Sequence, residues 1–292
     1  MAFVDQELVR LAREQDFITT DGYLEFAIHA EGFHYQKRDF LFFSGRWHGE
    51  KITRFVGRKY YSSKTLIVGH SDYYLHPWQA KMLKIRGTRK IFSTNATPVK
   101  DLVMPIPQGL TNNCDDSPLH RVLGNSNLIL DALLSQKHRD PFTGSCYVNF
   151  SIDTNESIRS NVVQVARSLP NTVFQRYDMT NEGRTSYLQD LRKYNFVLCP
   201  QGNGMDTHRV WETLYMGGYP VVIRTPYMEK ILEILPVVWV SDWKEINENG
   251  FLENSWNSLE TQIHDTERLR LSWWTSFMQS EARRTESSNL GH

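Results

Sequence analysis

Two kinds of apolar pattern share this chain. From Val4 to Glu14 the apolar positions Val4, Leu8, Val9 and Leu11 fall on one helical stripe. Farther on, apolar residues come as short continuous runs closed by glycine or polar residues. These are Asp39 to Ser44 before Gly45, Thr65 to Val68 before Gly69 and His70, Arg89 to Ser93, and Leu102 to Pro105. Such runs predict buried strands, and the block Asn127 to Leu134 predicts a helix. The N-terminal part therefore reads as α/β.

Pro141-Phe-Thr-Gly-Ser145 punctuates the middle of the chain. After it, strands alternate with helices. Cys146 to Ser151 is predicted as a strand, Ile158 to Ser168 as a helix, Thr172 to Phe174 as a strand and Ser186 to Tyr194 as a helix. Asn195 to Cys199 (strand), Thr207 to Met216 (helix), Tyr219 to Ile223 (strand), Met228 to Leu235 (helix) and Val237 to Val240 (strand) follow. That alternation predicts βαβ units and a parallel sheet. Trp256 to Phe277 reads as helical, and the residues from Arg283 to His292 are a polar tail. The expected organisation is an α/β domain over 1–140, a second, Rossmann-like domain over 141–255, and a C-terminal helix over 256–292 that packs back on the first domain.

Composition narrows the classes. The 292 residues carry 33 basic and 33 acidic side chains, so the basic excess typical of nucleic-acid binders is missing. Lysine and arginine are nevertheless dense from Lys37 to Lys64. Three scattered cysteines, Cys114, Cys146 and Cys199, form neither a disulfide framework nor a CxxC metal pair, which fits a reducing compartment. The N-terminus has no apolar signal core, and no run of about 18 apolar residues suggests a membrane span. The expectation is a soluble cytoplasmic protein without membrane anchor.

One stretch concentrates the chemistry. Asn195-Phe-Val-Leu-Cys-Pro200 ends a buried strand, and Gly202 and Gly204 let backbone turn close to a ligand. Asp206 is placed to cap the next helix, with Thr207 and His208 at its start, where the helix dipole favours anions. Arg209 in the first turn offers a planar fork for a diphosphate. Glu212, one turn on, suits ribose hydroxyls. The plain alternative is a strand–loop–helix in which Arg209 and Glu212 merely pair.

This stretch resembles the C-terminal signature of exostosin-like glycosyltransferases and, more loosely, fucosyltransferase-like enzymes. The matching positions are Phe196 to Leu198, Pro200, Gly202, Arg209, Glu212, Gly218 and Pro220 to Val222. Phe40-Leu-Phe-Phe-Ser-Gly-Arg46 also resembles a strand of that family. The resemblance implies a GT-B fold, two Rossmann-like domains facing a cleft with the donor on the C-terminal one. Among such enzymes the chain is most similar to soluble, stand-alone forms like the xylosyltransferases of large algal viruses. A UDP-sugar donor is implied, UDP-xylose or UDP-glucose ahead of GDP-fucose, with a glycan or glycoprotein as acceptor.

Other residues follow from position. Asn149 and Ser151 sit where a strand of the same domain ends and Arg159 offers a second phosphate contact, the equal alternative being a solvated loop leading into a helix capped by Thr154 or Asn155; Arg176 with Tyr177 follows the next strand, a candidate place for a base. On the acceptor side, Val68-Gly-His-Ser-Asp-Tyr-Tyr-Leu-His-Pro-Trp78 follows a buried strand. Asp72 is the candidate general base of an inverting transfer, with His70 as rival. Tyr73, Tyr74 and Trp78 are candidate acceptor-stacking rings. Against this stands a cap role for Ser71 and Asp72 and a buried, hydrogen-bonded His70. No Asp-x-Asp pair occurs, so no metal or other cofactor is expected. Three rival functions remain: a retaining or GDP-sugar transferase on the same site, a non-catalytic nucleotide- or carbohydrate-binding module, and a transferase acting on DNA.

Overall fold

The computed structural model describes residues 2–29, 40–44, 64–70, 72, 74–85, 87–114, 117–135, 142–176, 178–262 and 264–289. The helices α1 (Ala2–Glu14) and α2 (Thr20–His29) lead into a first sheet of β1 (Phe40–Ser44), β2 (Thr65–Gly69), β3 (Lys90–Ser93) and β4 (Val103–Pro105). These strands are parallel in the order β1-β2-β3-β4, and α3 (Pro77–Ile85) precedes β3. Two helices, α4 (Pro118–Leu123) and α5 (Asn127–Ser135), lead to the second sheet.

The second sheet holds β5 (Cys146–Val148), β6 (Thr172–Phe174), β7 (Phe196–Leu198), β8 (Tyr219–Ile223) and β9 (Val238–Val240), all parallel in the order β6-β5-β7-β8-β9. Its helices are α6 (Glu156–Ala166), α7 (Asn181–Lys193), α8 (His208–Tyr215) and α9 (Pro226–Ile231). The chain closes with α10 (Phe251–Thr261) and α11 (Leu271–Asn289). This is an α/β fold of two Rossmann-like sheets, the GT-B-like arrangement. The order reverses between β5 and β7, where open α/β sheets bind ligands beyond the strand ends.

The period of 2 along each strand divides the apolar residues between layers. Phe40, Ile67 and Phe92 of the first sheet, and Tyr147, Val197 and Val222 of the second, face one continuous central core. Leu41, Phe43, Leu66, Val68 and Ile91 face outward to a core with Ala80 and Leu83 of α3. Cys146, Val148, Phe196, Leu198 and Val221 do the same beneath α6 and α10. Covering both faces explains why the strands read as unbroken apolar runs.

The termini knit the halves together. Leu8 and Leu11 of α1 share the central core with Leu188, Trp211 and Leu214. Returning over the first sheet, α11 stacks Phe277 edge-on to Phe92, and Glu281 pairs with Lys90 Nζ at 3.1 Å.

Three sequence expectations need correction. The strand at Cys146 ends at Val148, because Ser151 turns into a 3₁₀ turn and gives its carbonyl to Arg159 Nη1 at 2.6 Å. The helix expected from Ser186 starts at Asn181, capped by Thr180, whose hydroxyl accepts from Gly183 N at 3.0 Å. The single tail helix is two, split by a turn at Thr266–Leu269 that Asp265 caps through Glu267 N at 2.9 Å.

Candidate functional site

A cleft of about 330 Å³ opens between the two sheets, within the range of small-molecule sites. The C-terminal half lines it with Ser151, Thr154, Arg159, Arg184 and the run Gly202 to Arg209 apart from Met205, together with Glu212. From the other half come Asp72, Gln108 and Thr111, and α4 adds Leu119 and Leu123. A larger groove of about 720 Å³ runs between β9 and α10, away from these residues.

The C-terminal wall is built from buried charge. Arg159 is 5% exposed and donates to the carbonyls of Gln201 (3.2 Å) and Ser151 (2.6 Å). Its guanidinium and that of Arg209 both lie over the Phe150 ring, at 5.4 and 5.6 Å from the centroid. Burial first, and then the charge of Arg209, lower the Arg159 pKa to about 10. Two cations held together at the start of a helix are the electrostatics of an anion site. Thr207 is the N-cap of α8 but makes no cap bond, and its buried hydroxyl finds no hydrogen-bond partner among the described residues.

Glu212 lies deeper. Its carboxylate takes Arg184 Nη2 at 2.8 Å and the Tyr187 hydroxyl at 2.7 Å. Burial pushes its pKa up, but Arg184 and Tyr187 outweigh that and hold it below the usual carboxylate value. Arg184 also donates to Leu123 O at 3.1 Å, tying the wall to the end of α4. Sequence reasoning missed Arg184: it carries no motif and lies 28 positions from its partner.

Asp206 corrects a second expectation. It does not cap α8; it turns to the other half. One oxygen accepts from Gln108 N at 2.7 Å, and both accept from Trp211 Nε1 at 2.8 and 3.1 Å. Burial raises its pKa to about 7, although those donors oppose the rise.

Asp206 anchors a chain of hydrogen bonds whose polarity is forced from both ends. Its backbone N–H can only donate, so Asn95 accepts with Oδ1 at 3.0 Å and donates through Nδ2 to Gln108 Oε1 at 3.2 Å. Gln108 Nε2 then faces His208 Nε2 at 3.1 Å, and His208 Nδ1 lies 2.7 Å from Gly109 O. A carbonyl only accepts, so Nδ1 carries the proton and Nε2 accepts, making His208 the neutral Nδ1–H tautomer. Two glycines make room for this clasp. A Cβ at Gly204 would stand 2.7 Å from Asn95, and one at Gly109 (φ +73°) 2.0 Å from Ile18 O.

The N-terminal wall is open. Asp72 is exposed, and its Oδ2 accepts from Asn203 Nδ2 at 3.4 Å. His70, in the left-handed region at φ 57°, points away to Asp21 at 2.7 Å and lies edge-on to Phe42. Tyr74 contacts the ring of His76 and Trp78 faces outward on α3. Asn149 donates to the Tyr147 hydroxyl at 2.9 Å behind the cleft, and Arg176 is exposed outside it. Tyr73 and Tyr177 lie outside the described residues. The structure thus gathers Asp72, Ser151, Arg159, Gly202, Gly204, Asp206, Thr207, His208, Arg209 and Glu212, and leaves His70, Tyr74, Trp78, Asn149 and Arg176 off the lining. The Cys146 and Cys199 thiols are buried, with pKa raised to about 12, so neither is a poised nucleophile. Among the described residues no group of three or more His, Cys, Asp or Glu is arranged to hold a metal ion, and no helix is long and apolar enough to cross a membrane.

The decisive comparison is of sequence: residues 130–285, more than half of the chain, match the family model of the RXYLT1 C-terminal domain. The chain belongs to this family. The RXYLT1 C-terminal domain match spans β5 to α11, including the whole second sheet and every C-terminal residue of the cleft, and it identifies the chain as a glycosyltransferase of xylosyltransferase-like type. No curated protein matches it by sequence. A solved spinosyn rhamnosyltransferase SpnG complexed with thymidine diphosphate resembles it at TM-score 0.37 and 10% identity, over 97% of this chain and 76% of that one.

Proposed function

We propose that the protein transfers a sugar from a nucleotide-sugar, a UDP-sugar such as UDP-xylose, to a hydroxyl of a glycan acceptor with inversion. The observation that carries the reading is the pair Arg159 and Arg209, held over one Phe150 ring at the start of α8. Two guanidiniums packed at a helix N-terminus suit a diphosphate that gains charge as it leaves. The Thr207 hydroxyl and the loop at Gly202 and Gly204 complete that subsite.

In this reading Glu212 and Arg184 form the floor beside the ribose, with Asn149 behind it. The acceptor enters from the first sheet. Asp72 takes the proton of its hydroxyl as the oxygen attacks the anomeric carbon and the bond to the diphosphate breaks on the opposite face. His70 orients the loop through Asp21. We divide the chain at about residue 140 into an acceptor and a donor domain, and retain the exostosin-like kinship as part of this proposal.

The test is calorimetric titration with UDP, GDP, UDP-xylose and UDP-glucose, with EDTA or Mn²⁺ present. Micromolar binding of the uridine compounds that Arg209→Ala weakens by roughly 10–10² is expected. Binding that survives Arg209→Ala unchanged would move the donor elsewhere.

A further inference from the structure

Outside the cleft, α3 presents a second apolar face. Its nine residues bury Ala80 and Leu83 against the first sheet. On its other side stand Trp78, Met82 and Ile85, with 55%, 41% and 78% of their surface exposed. At about 100° per residue these three fall within an arc of roughly 60°, directly opposite the buried pair. The helix thus has two apolar faces, one of them turned to solvent. Isolated exposed apolar residues are ordinary, but an aligned Trp, Met and Ile on nine residues form a contiguous patch.

Charge chooses the partner. Exposed Lys81 and Lys84 flank one side of the patch. No Asp or Glu occurs between Asp72 and Asp101, although the whole chain is neutral. The chain before β2 is also basic, with six Lys and Arg against one Glu from Arg46 to Lys64 inclusive. Apolar side chains led by Trp and bordered by lysines match the boundary between acyl chains and anionic headgroups. At about 13 Å long, the helix lies in that plane rather than across it.

We propose that the outer face of α3 docks the protein reversibly on an anionic lipid bilayer, with Trp78, Met82 and Ile85 entering the interface and Lys81 and Lys84 meeting the headgroups. This reading does not depend on the reaction assigned to the cleft.

The experiment is co-sedimentation of the full chain with vesicles of phosphatidylcholine alone or with roughly 30% phosphatidylserine. Wild type is compared with Trp78→Ser/Met82→Ser/Ile85→Ser and with Lys81→Glu/Lys84→Glu, all checked for an unchanged thermal midpoint. All five positions lie on the exposed side of α3, so the variants should fold. Wild type should partition to the anionic vesicles, and the triple variant should lose on the order of tenfold or more. Charge reversal should erase roughly tenfold of the preference for phosphatidylserine. Wild type that sediments with neither vesicle, or a triple variant that sediments like wild type, overturns the proposal. So does a concentration-dependent dimer that the triple variant abolishes while neither protein binds vesicles, since the face would then belong to a second copy of the chain.

Discussion

The two walls of the cleft are built on different terms. On the C-terminal wall, Arg159, Arg184 and Glu212 are nearly inaccessible, and they are held by backbone carbonyls, by the Tyr187 hydroxyl and by the Arg184–Glu212 ion pair. On the N-terminal wall, Asp72 is exposed and held by one long contact from Asn203. Burying charge is costly unless a fixed geometry compensates it, so the first wall presents a rigid field before any ligand arrives. The second is hydrated and adaptable. A constant partner such as a diphosphate suits the first, and a partner whose reactive group must lose a proton suits the second.

The contrast gives an ordered set of tests. Asp72→Asn should cut kcat by about 10²–10⁴ while donor affinity stays within error, read by calorimetry beside a transfer assay. A normal kcat removes Asp72 from the chemistry and leaves the open wall as a binding surface. Glu212→Gln should lower stability by about 3–5 kcal/mol in urea unfolding, because it strands the Arg184 charge in a buried site. A loss no larger than that of an exposed pair, about 0–1 kcal/mol, would mean that the wall is wetter than it is drawn. Arg209→Ala should weaken nucleotide binding by roughly 10–10², the scale of one charge-assisted contact, with stability little changed.

Gly204→Ala comes next, at about 1–3 kcal/mol of destabilisation, since the new methyl group must displace the Asn95 amide that joins the walls. A separate effect is one of pH. The Asp206 carboxyl, raised to about 7 by burial, binds a proton more tightly folded than unfolded, where its value is near 3.8. Its contribution to stability is therefore greatest below about pH 4 and is lost as pH rises to 7. The downward slope of thermal midpoint with pH in that window should be flatter in Asp206→Asn, and an unchanged slope would assign it to other groups.

Much of this was legible in the sequence because local rules govern it. The nine strands among the described residues announced themselves as apolar runs, since both faces of each sheet are covered. The run from Asn195 to Ile223 was legible as a site because its glycines, Arg209 and Glu212 sit close along the chain. What stayed hidden depends on distance along the sequence. Arg184 acquires meaning only when α7 is laid beside α8. Gln108 becomes part of the cleft only when the first sheet meets the second. Asp206 looked like a cap because Ser, Thr, Asn and Asp before a helix usually are, yet its carboxylate takes Gln108 N from the other half of the molecule and Trp211 Nε1 from within α8. The turn that parts α10 from α11 escaped notice because the apolar period resumes at Leu269, Trp274 and Met278.

The central core has a consequence for how the molecule is made. Leu8 and Leu11 leave the ribosome well before Trp274 and Met278, yet all four pack in the same cluster. At typical elongation rates roughly 15–50 s separate the two ends. Throughout that interval α1 has an apolar stripe and no finished place to put it. The nascent chain is then an obvious client for a chaperone, and a chain stopped near residue 140 should be recovered as aggregate rather than as a folded half.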